Sequence, residues 1–235
     1  MSFFAKNIRF LREQRELTQA EFALLVDLWE DTIDRYEKSK LEPDLETLVR
    51  ISDSLNVPLD HLLKRNLELQ DARIQARNIR LILLDVDGTL TDGGMYYSES
   101  GDQMKRFYTK DGLIIHRLIS RKNLQFGFIS SGSTEYLMKK RAETLGVQHL
   151  YAGTQPKVKI VDQWLAKLNL RYEHLAYVGD DLNDLPLIKQ AGIAACPADA
   201  VPAVKRAAHI VLHRKGGHGC VREFLEEILG YDVEE

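Results

Sequence analysis

Two aspartates, Asp85 and Asp87, close the run Arg80-Leu81-Ile82-Leu83-Leu84 and are followed at once by Gly88-Thr89-Leu90. Carboxylates so spaced at the carboxyl end of a buried strand can divide phosphoryl transfer between them. One attacks phosphorus, and the other passes a proton to the leaving alkoxide. Asp85 is the candidate nucleophile and Asp87 the candidate acid/base; a D-x-D standing alone is otherwise a turn or a cap. A phosphate ester repels an attacking carboxylate, so a divalent cation with oxygen ligands, magnesium above all, is expected beside them. A further carboxylate should therefore converge on the pair.

It occurs at Leu175-Ala176-Tyr177-Val178-Gly179-Asp180-Asp181-Leu182-Asn183-Asp184, a second apolar run ending in acids. Asp180 is the expected metal ligand. Asp184 is expected to hold a metal-bound water or a lysine, and Asp181 and Asn183 are of types that cap the helix that follows. Ser131, next to Gly132 after the run Phe126 to Ile129, stands before a helix expected near Thr134. There a hydroxyl and free amides either hold phosphate oxygens or simply cap the helix. Lys157, opening a helix after Gly153-Thr154-Gln155-Pro156, is either the cation that neutralises a phosphorylated aspartate or a surface lysine.

Positioning these groups requires a scaffold of alternating strands and helices. Short apolar runs at 80–84, 126–129, 149–151, 175–178, 193–195 and 209–212 alternate with amphipathic stretches, the pattern of a parallel sheet flanked by helices. Met95 to Tyr97, a turn at Ser100-Gly101-Asp102, and Met104 to Phe107 predict a β-hairpin inserted after the first strand, overhanging the site. Residues 1–65 instead carry apolar positions at helical spacing, with a capping box at Thr18-Gln19-Ala20-Glu21, and predict five short helices. The expected organisation is a helical domain over 1–65, a helical connector over 66–78 and an α/β domain over 79–235.

The four motifs of residues 79–235, in this order, resemble those of the haloacid dehalogenase superfamily. The resemblance implies a Rossmann-like fold without a large cap. It makes Asp85 the nucleophile that forms an aspartyl-phosphate, Asp87 the acid/base, and Ser131 and Lys157 the phosphate clamp. Asp85, Asp180 and the Asp87 carbonyl become the magnesium site, with Asp184 behind them. Thr91-Asp92-Gly93-Gly94-Met95-Tyr96-Tyr97, Lys105-x-Phe107, Lys110-Asp111-Gly112 and Gly216-Gly217-x-Gly219-x-x-Arg222-Glu223 narrow the likeness to capless phosphatases of phosphorylated 3-deoxy-2-keto sugar acids. These are the octulosonate 8-phosphate and nonulosonate 9-phosphate (acylneuraminate) enzymes. That family implies a tetramer in which one subunit's hairpin and tail help close a neighbour's site. Gly132, Ser133, Arg141, Lys105 and Asp111 fall where substrate contacts are expected. Ser133 departs from the Arg or Glu of the two enzyme types, and His218 from the octulosonate enzymes' Arg, so the sugar stays open between them. Arg141 is either a partner for the substrate carboxylate or a solvated helix residue beside Lys139 and Lys140.

Residues 1–65 resemble the Cro/C1-type helix-turn-helix domain through Asn7-Ile8-Arg9-x-Leu11-Arg12, Leu17-Thr18-Gln19-x-Glu21, Thr32-Ile33-x-Arg35-Tyr36-Glu37 and Glu42-Pro43-x-Leu45-x-Thr47-Leu48. The helix expected over Trp29–Lys38 would then enter the DNA major groove. Its Glu30, Asp31 and Asp34 oppose phosphates. Ten Lys or Arg against thirteen Asp or Glu in 1–65 give this part a charge of −3, the net charge of the whole chain. Protein contact is therefore expected ahead of DNA. No apolar run approaches the roughly 20 residues of a membrane span, and Cys196 and Cys220 lack metal-ligand spacing, so a cytoplasmic enzyme is expected. The competing expectation is a transcription regulator that uses the second domain as a sugar-phosphate sensor.

Overall fold

The computed structural model describes residues 2–122, 124–132 and 135–231. Ser133 and Thr134 lie outside the described residues. The chain divides into two units, Met1–Asp71 and Ala72–Glu235.

In the first unit, residues at helical spacing form α1 (Phe3–Gln14), α2 (Gln19–Leu25), α3 (Glu30–Glu37), α4 (Leu45–Leu55) and α5 (Leu59–Lys64). They bury Phe4, Ile8, Leu11, Phe22, Val26, Ile33, Ile51 and Leu62 in one core. The capping box is formed: Thr18 Oγ1 accepts from the Glu21 amide at 3.2 Å, and Glu21 Oε2 accepts from the Thr18 amide at 2.8 Å. Asn7, fully buried on α1, donates to the carbonyls of Leu62 and Arg65 and so satisfies the end of α5. α6 (Leu67–Ala76) follows in the stretch expected to be a helical connector.

The second unit is a six-stranded parallel sheet. Its strands are β1 (Leu81–Asp85), β4 (Gln125–Ser130), β5 (His149–Ala152), β6 (Leu175–Val178), β7 (Ile193–Cys196) and β8 (Ile210–Val211), in the order β5-β4-β1-β6-β7-β8. The chain steps outward from β1 through β4 to β5, then returns to the other side of β1 at β6. In such sheets the crevice at the carboxyl ends, where the order reverses, receives ligands. Alternation along β1 sends Ile82 and Leu84 to a core shared with α7 (Thr109–Lys122), α8 (Glu135–Leu145) and α12 (Cys220–Glu223). Leu81 and Leu83 face a second core with α9 (Lys157–Leu168), α10 (Leu185–Ile188) and α11 (Pro202–Ala207). Both faces of β1 are covered, which is why it reads as a continuous apolar run.

The inserted hairpin is present but shorter than expected. β2 (Tyr96–Tyr97) and β3 (Gln103–Met104) pair antiparallel around a Ser98–Asp102 turn, and Phe107 makes only an isolated bridge to Thr91. Tyr96, Tyr97 and Met104 are exposed, so no core extends the pairing further. No helix of the described residues is long and apolar enough to cross a membrane.

Candidate active site

Asp85 ends β1 on the same parity as Leu81 and Leu83, the face covered by α9. Pro156 starts α9 and places Lys157 in its first turn, with the side chain 1% exposed. The Lys157 ammonium donates to Asp85 Oδ1 and to Asp184 Oδ1, each at 2.5 Å. Tyr177, from β6 on that same face, donates to Asp184 Oδ1 at 2.5 Å. Asp184 Oδ2 accepts the amides of Asp180 and Asp181 at 2.9 and 3.1 Å. Both Asp184 oxygens are thus engaged by the chain itself, holding the lysine and folding the loop that carries Asp180.

Carboxylate oxygens of Asp85, Asp180 and Asp184 lie within 4.8 Å of one another. Burial pushes the Asp85 carboxyl well above the usual carboxylate range; Lys157 opposes this, and the charges of Asp184 and Asp180 add to it. Asp180 is likewise pushed up to about 6 by burial and by Asp184. Three carboxylates face one ammonium, which leaves two negative charges uncompensated, and Asp180 Oδ1 is buried without a hydrogen-bond partner. A hard divalent cation matches that donor set and that charge. Since both Asp184 oxygens are engaged, Asp85, which gives one oxygen to Lys157, and Asp180 are the side chains that could hold it.

Asp87 stands at the mouth, its side chain 41% exposed. Lys105, following β3, ion-pairs with Asp87 Oδ1, and Ser130 Oγ donates to Asp87 Oδ2 at 3.1 Å. The Gly132 amide donates to Ser130 Oγ at 2.9 Å, which brings Gly132 against Asp87. Ser131 is exposed and its Oγ accepts from Asn183 Nδ2 at 2.9 Å, linking the loop after β4 to the loop after β6. Gly88, at φ +100°, turns the chain between Asp87 and Thr89, and a Cβ there would collide with the Asp180 carboxylate.

Asp85, Asp87, Lys105, Ser131, Gly132, Lys157, Asp180 and Asp184 are therefore brought to the carboxyl edge of the sheet. Two residues expected at the substrate sit elsewhere or apart. Asp111 is 1% exposed and accepts the Arg222 amide at 2.8 Å, tying α7 to α12 rather than facing the cleft. Arg141 is half-buried with its guanidinium 5.4 Å from the centre of the Phe107 ring. Ser130, Tyr177 and Asn183 carried no separate expectation as site residues. Adjacent serines at a strand end and a Tyr on the same sheet face as Asp85 were the available signals.

The haloacid dehalogenase-like hydrolase family model matches residues 143–224, and a helix-turn-helix model matches residues 8–62. The 3-deoxy-D-manno-octulosonate 8-phosphate phosphatase KdsC of Yersinia pestis is 41% identical over 155 residues, covering 66% of this chain and 82% of its own. The chain belongs to the KdsC phosphatase family. The crystal structure of the Yersinia pestis phosphatase superposes with a TM-score of 0.65 at 40% identity, over 68% of this chain and 85% of that one. A KdsC structure from Moraxella catarrhalis, in complex with magnesium, phosphate and a KDO molecule, gives 0.64 at 31% identity, over 68% and 91%. As a KdsC family member the chain is a phosphomonoester hydrolase with the α/β fold described above, behind a helix-turn-helix unit.

Gly88→Ala, which adds a Cβ where the Asp180 carboxylate sits and strains a left-handed residue, should lower turnover on the order of 100-fold while far-UV circular dichroism is retained. Turnover within threefold of the parent would show that the loop has slack. A separate test concerns Asp111, which burial pushes up to about 6 from its ordinary 3.8 against hydrogen bonds from the Arg222 and Gly219 amides. A carboxyl whose folded value is raised favours the fold while protonated, below about pH 4, and that contribution is lost as pH climbs through 6. Asp111→Asn keeps the acceptor without the charge. It should raise the melting temperature at pH 8, by on the order of 1–3 kcal/mol of stability, and change little at pH 4; an equal effect at both pH values would contradict the assignment.

Proposed function

We propose that the chain is a magnesium-dependent phosphatase of a phosphorylated 2-keto-3-deoxy sugar acid, 3-deoxy-D-manno-octulosonate 8-phosphate before the nonulosonate 9-phosphates, acting through an aspartyl-phosphate on Asp85. The observation that carries this reading is the buried Lys157 ammonium held between Asp85 and Asp184 at the carboxyl edge of β1, with the exposed Asp87 above it. The substrate preference rests on the activity named for the relatives at up to 41% identity.

Asp85 attacks phosphorus from the floor of the cleft, and the bond from phosphorus to the ester oxygen breaks. Asp87, at the mouth, gives its proton to the leaving alkoxide and then takes one from the water that hydrolyses the acyl phosphate. Products are the sugar-acid alcohol and inorganic phosphate, with Asp85 restored. Lys157 balances the charge of the phosphorylated carboxylate, and the Ser131 hydroxyl binds a phosphate oxygen beside Gly132. Asp85, Asp180 and the Asp87 carbonyl would hold the magnesium, which when bound offsets the repulsion between carboxylate and phosphate. Lys105 steadies Asp87 from the hairpin. Arg141, half-buried against the Phe107 ring, is the candidate partner for the substrate carboxylate.

The same reading makes the chain a cytoplasmic homotetramer in which the hairpin closes a neighbour's cleft. Its support is the exposure of Met95, Tyr96, Tyr97 and Met104 on one short hairpin and the two free, buried thiols of Cys196 and Cys220.

The test is phosphate release, with and without magnesium, from octulosonate 8-phosphate, nonulosonate 9-phosphates and hexose phosphates. Selective, magnesium-dependent turnover of the octulosonate ester is expected, and Asp85→Asn should lower it by on the order of 10⁴-fold or more with the fold intact. Turnover of none of these esters would overturn the proposal and favour a sugar-phosphate sensor.

A further inference from the structure

The helical unit has a face that neither its own core nor the phosphatase chemistry accounts for. Around the turn between α2 and α3, Leu24 is 82% exposed, Trp29 83% and Leu25 44%. Trp29 precedes α3 at its N-cap position, and its side chain makes no capping hydrogen bond to the helix it starts. Single exposed apolar residues are ordinary, but a tryptophan and two leucines about one turn mark a contact surface. The same turn carries Asp27, Glu30 and Asp31, all exposed, with Arg50 3.7 Å from Asp27 and Arg35 4.0 Å from Asp31.

Charge decides what can cover this face. Arg35 on α3 and Lys38 at its C-cap face Asp31 and Asp34 one turn back at 4.0 and 2.6 Å, so the helix offers no unpaired cation to a phosphate backbone. A second copy of the chain, docking the same face about a two-fold axis, would set Asp27, Glu30 and Asp31 against themselves. A partner with apolar side chains and positive charge satisfies both halves of the surface.

We propose that the α2–α3 face of the helical unit is a docking site for a protein segment in which large apolar side chains are flanked by lysine or arginine. Trp29 is the central anchor, and Glu30, an exposed acid with no ion pair among the described residues, sets the sign of the partner.

The experiment uses the full chain. A phage-displayed library of random 16-residue peptides is selected on the parent protein and counter-selected on Trp29→Ala, which alters an exposed residue outside the catalytic unit and should keep parental turnover. Enriched peptides, resynthesised with a fluorophore, are expected to carry net positive charge together with aromatic or leucine residues. They should bind the parent at least about thirtyfold more tightly than Trp29→Ala by anisotropy, and the double variant Glu30→Lys, Asp31→Lys should lose the preference for basic peptides. Three results would overturn the proposal: no peptide that distinguishes Trp29→Ala, Trp29-dependent peptides without a charge bias, or a Trp29-dependent self-association in sedimentation velocity. Binding of a 30-base-pair duplex DNA that Trp29→Ala abolishes would overturn it in favour of nucleic acid.

Discussion

Burying three carboxylates at one end of a sheet is unfavourable unless a cation is buried with them, and Lys157 meets that demand from within the chain. Its ammonium lies 2.5 Å from both Asp85 and Asp184 and is itself almost wholly enclosed. Burial alone would make the ammonium easier to deprotonate, but the two carboxylates outweigh it and raise its pKa above the ordinary value. The local design follows from this contact. α9 must begin at Pro156 to aim the lysine inward, Asp184 must spend both oxygens on fixed donors, and β6 must supply Tyr177. What remains unsatisfied, Asp180 Oδ1 and two negative charges, is the specification of a divalent cation site.

The loop after β1 is held from its other side by the C-terminal segment. The Gly217 amide donates to the Thr89 carbonyl at 2.9 Å, and a Cβ on Gly216 or Gly217 would run into the backbone of Gly88, Thr91 or Asp92. Glu223, 2% exposed, accepts the amides of His213 and Arg214 and so fixes the segment that delivers those glycines. The Gly216-Gly217 pair therefore has a packing cause, two backbones that approach too closely for a side chain, whereas Gly219 is required by its φ of +98°. Asp111, buried against the Arg222 amide, belongs to the same clamp. Its charge thus bears on the stability of the clamp and not on the sugar.

The helical unit separates fold from function. Its capping box, its five helices and its single core are those of a helix-turn-helix domain, and the helix-turn-helix model matches it over residues 8–62. Yet the exposed side of α3 presents Trp29, Glu30 and Asp31, and each cation there is matched by an acid. Burial of the apolar positions determines the fold, whereas the exposed residues, free of that constraint, set which surface the domain can meet.

The sequence by itself determined the division into helical and α/β parts, the parallel sheet and the chemistry of its strand ends, because periodicity and strand-end acids are local properties. Asp85, Asp87, Lys157 and Asp180 were legible for that reason. Which oxygen serves which neighbour was not. Asp184 is committed to Lys157, Tyr177 and two amides, Ser130 serves Asp87 while the adjacent Ser131 faces outward beside Asn183, and Asp111 turns into the C-terminal clamp. These assignments depend on contacts between residues up to 111 positions apart, across strands whose order, β4-β1-β6, departs from their order along the chain. Tertiary structure decided them, because a carboxylate's role is set by the donors that surround it, and those donors are assembled only when the sheet closes.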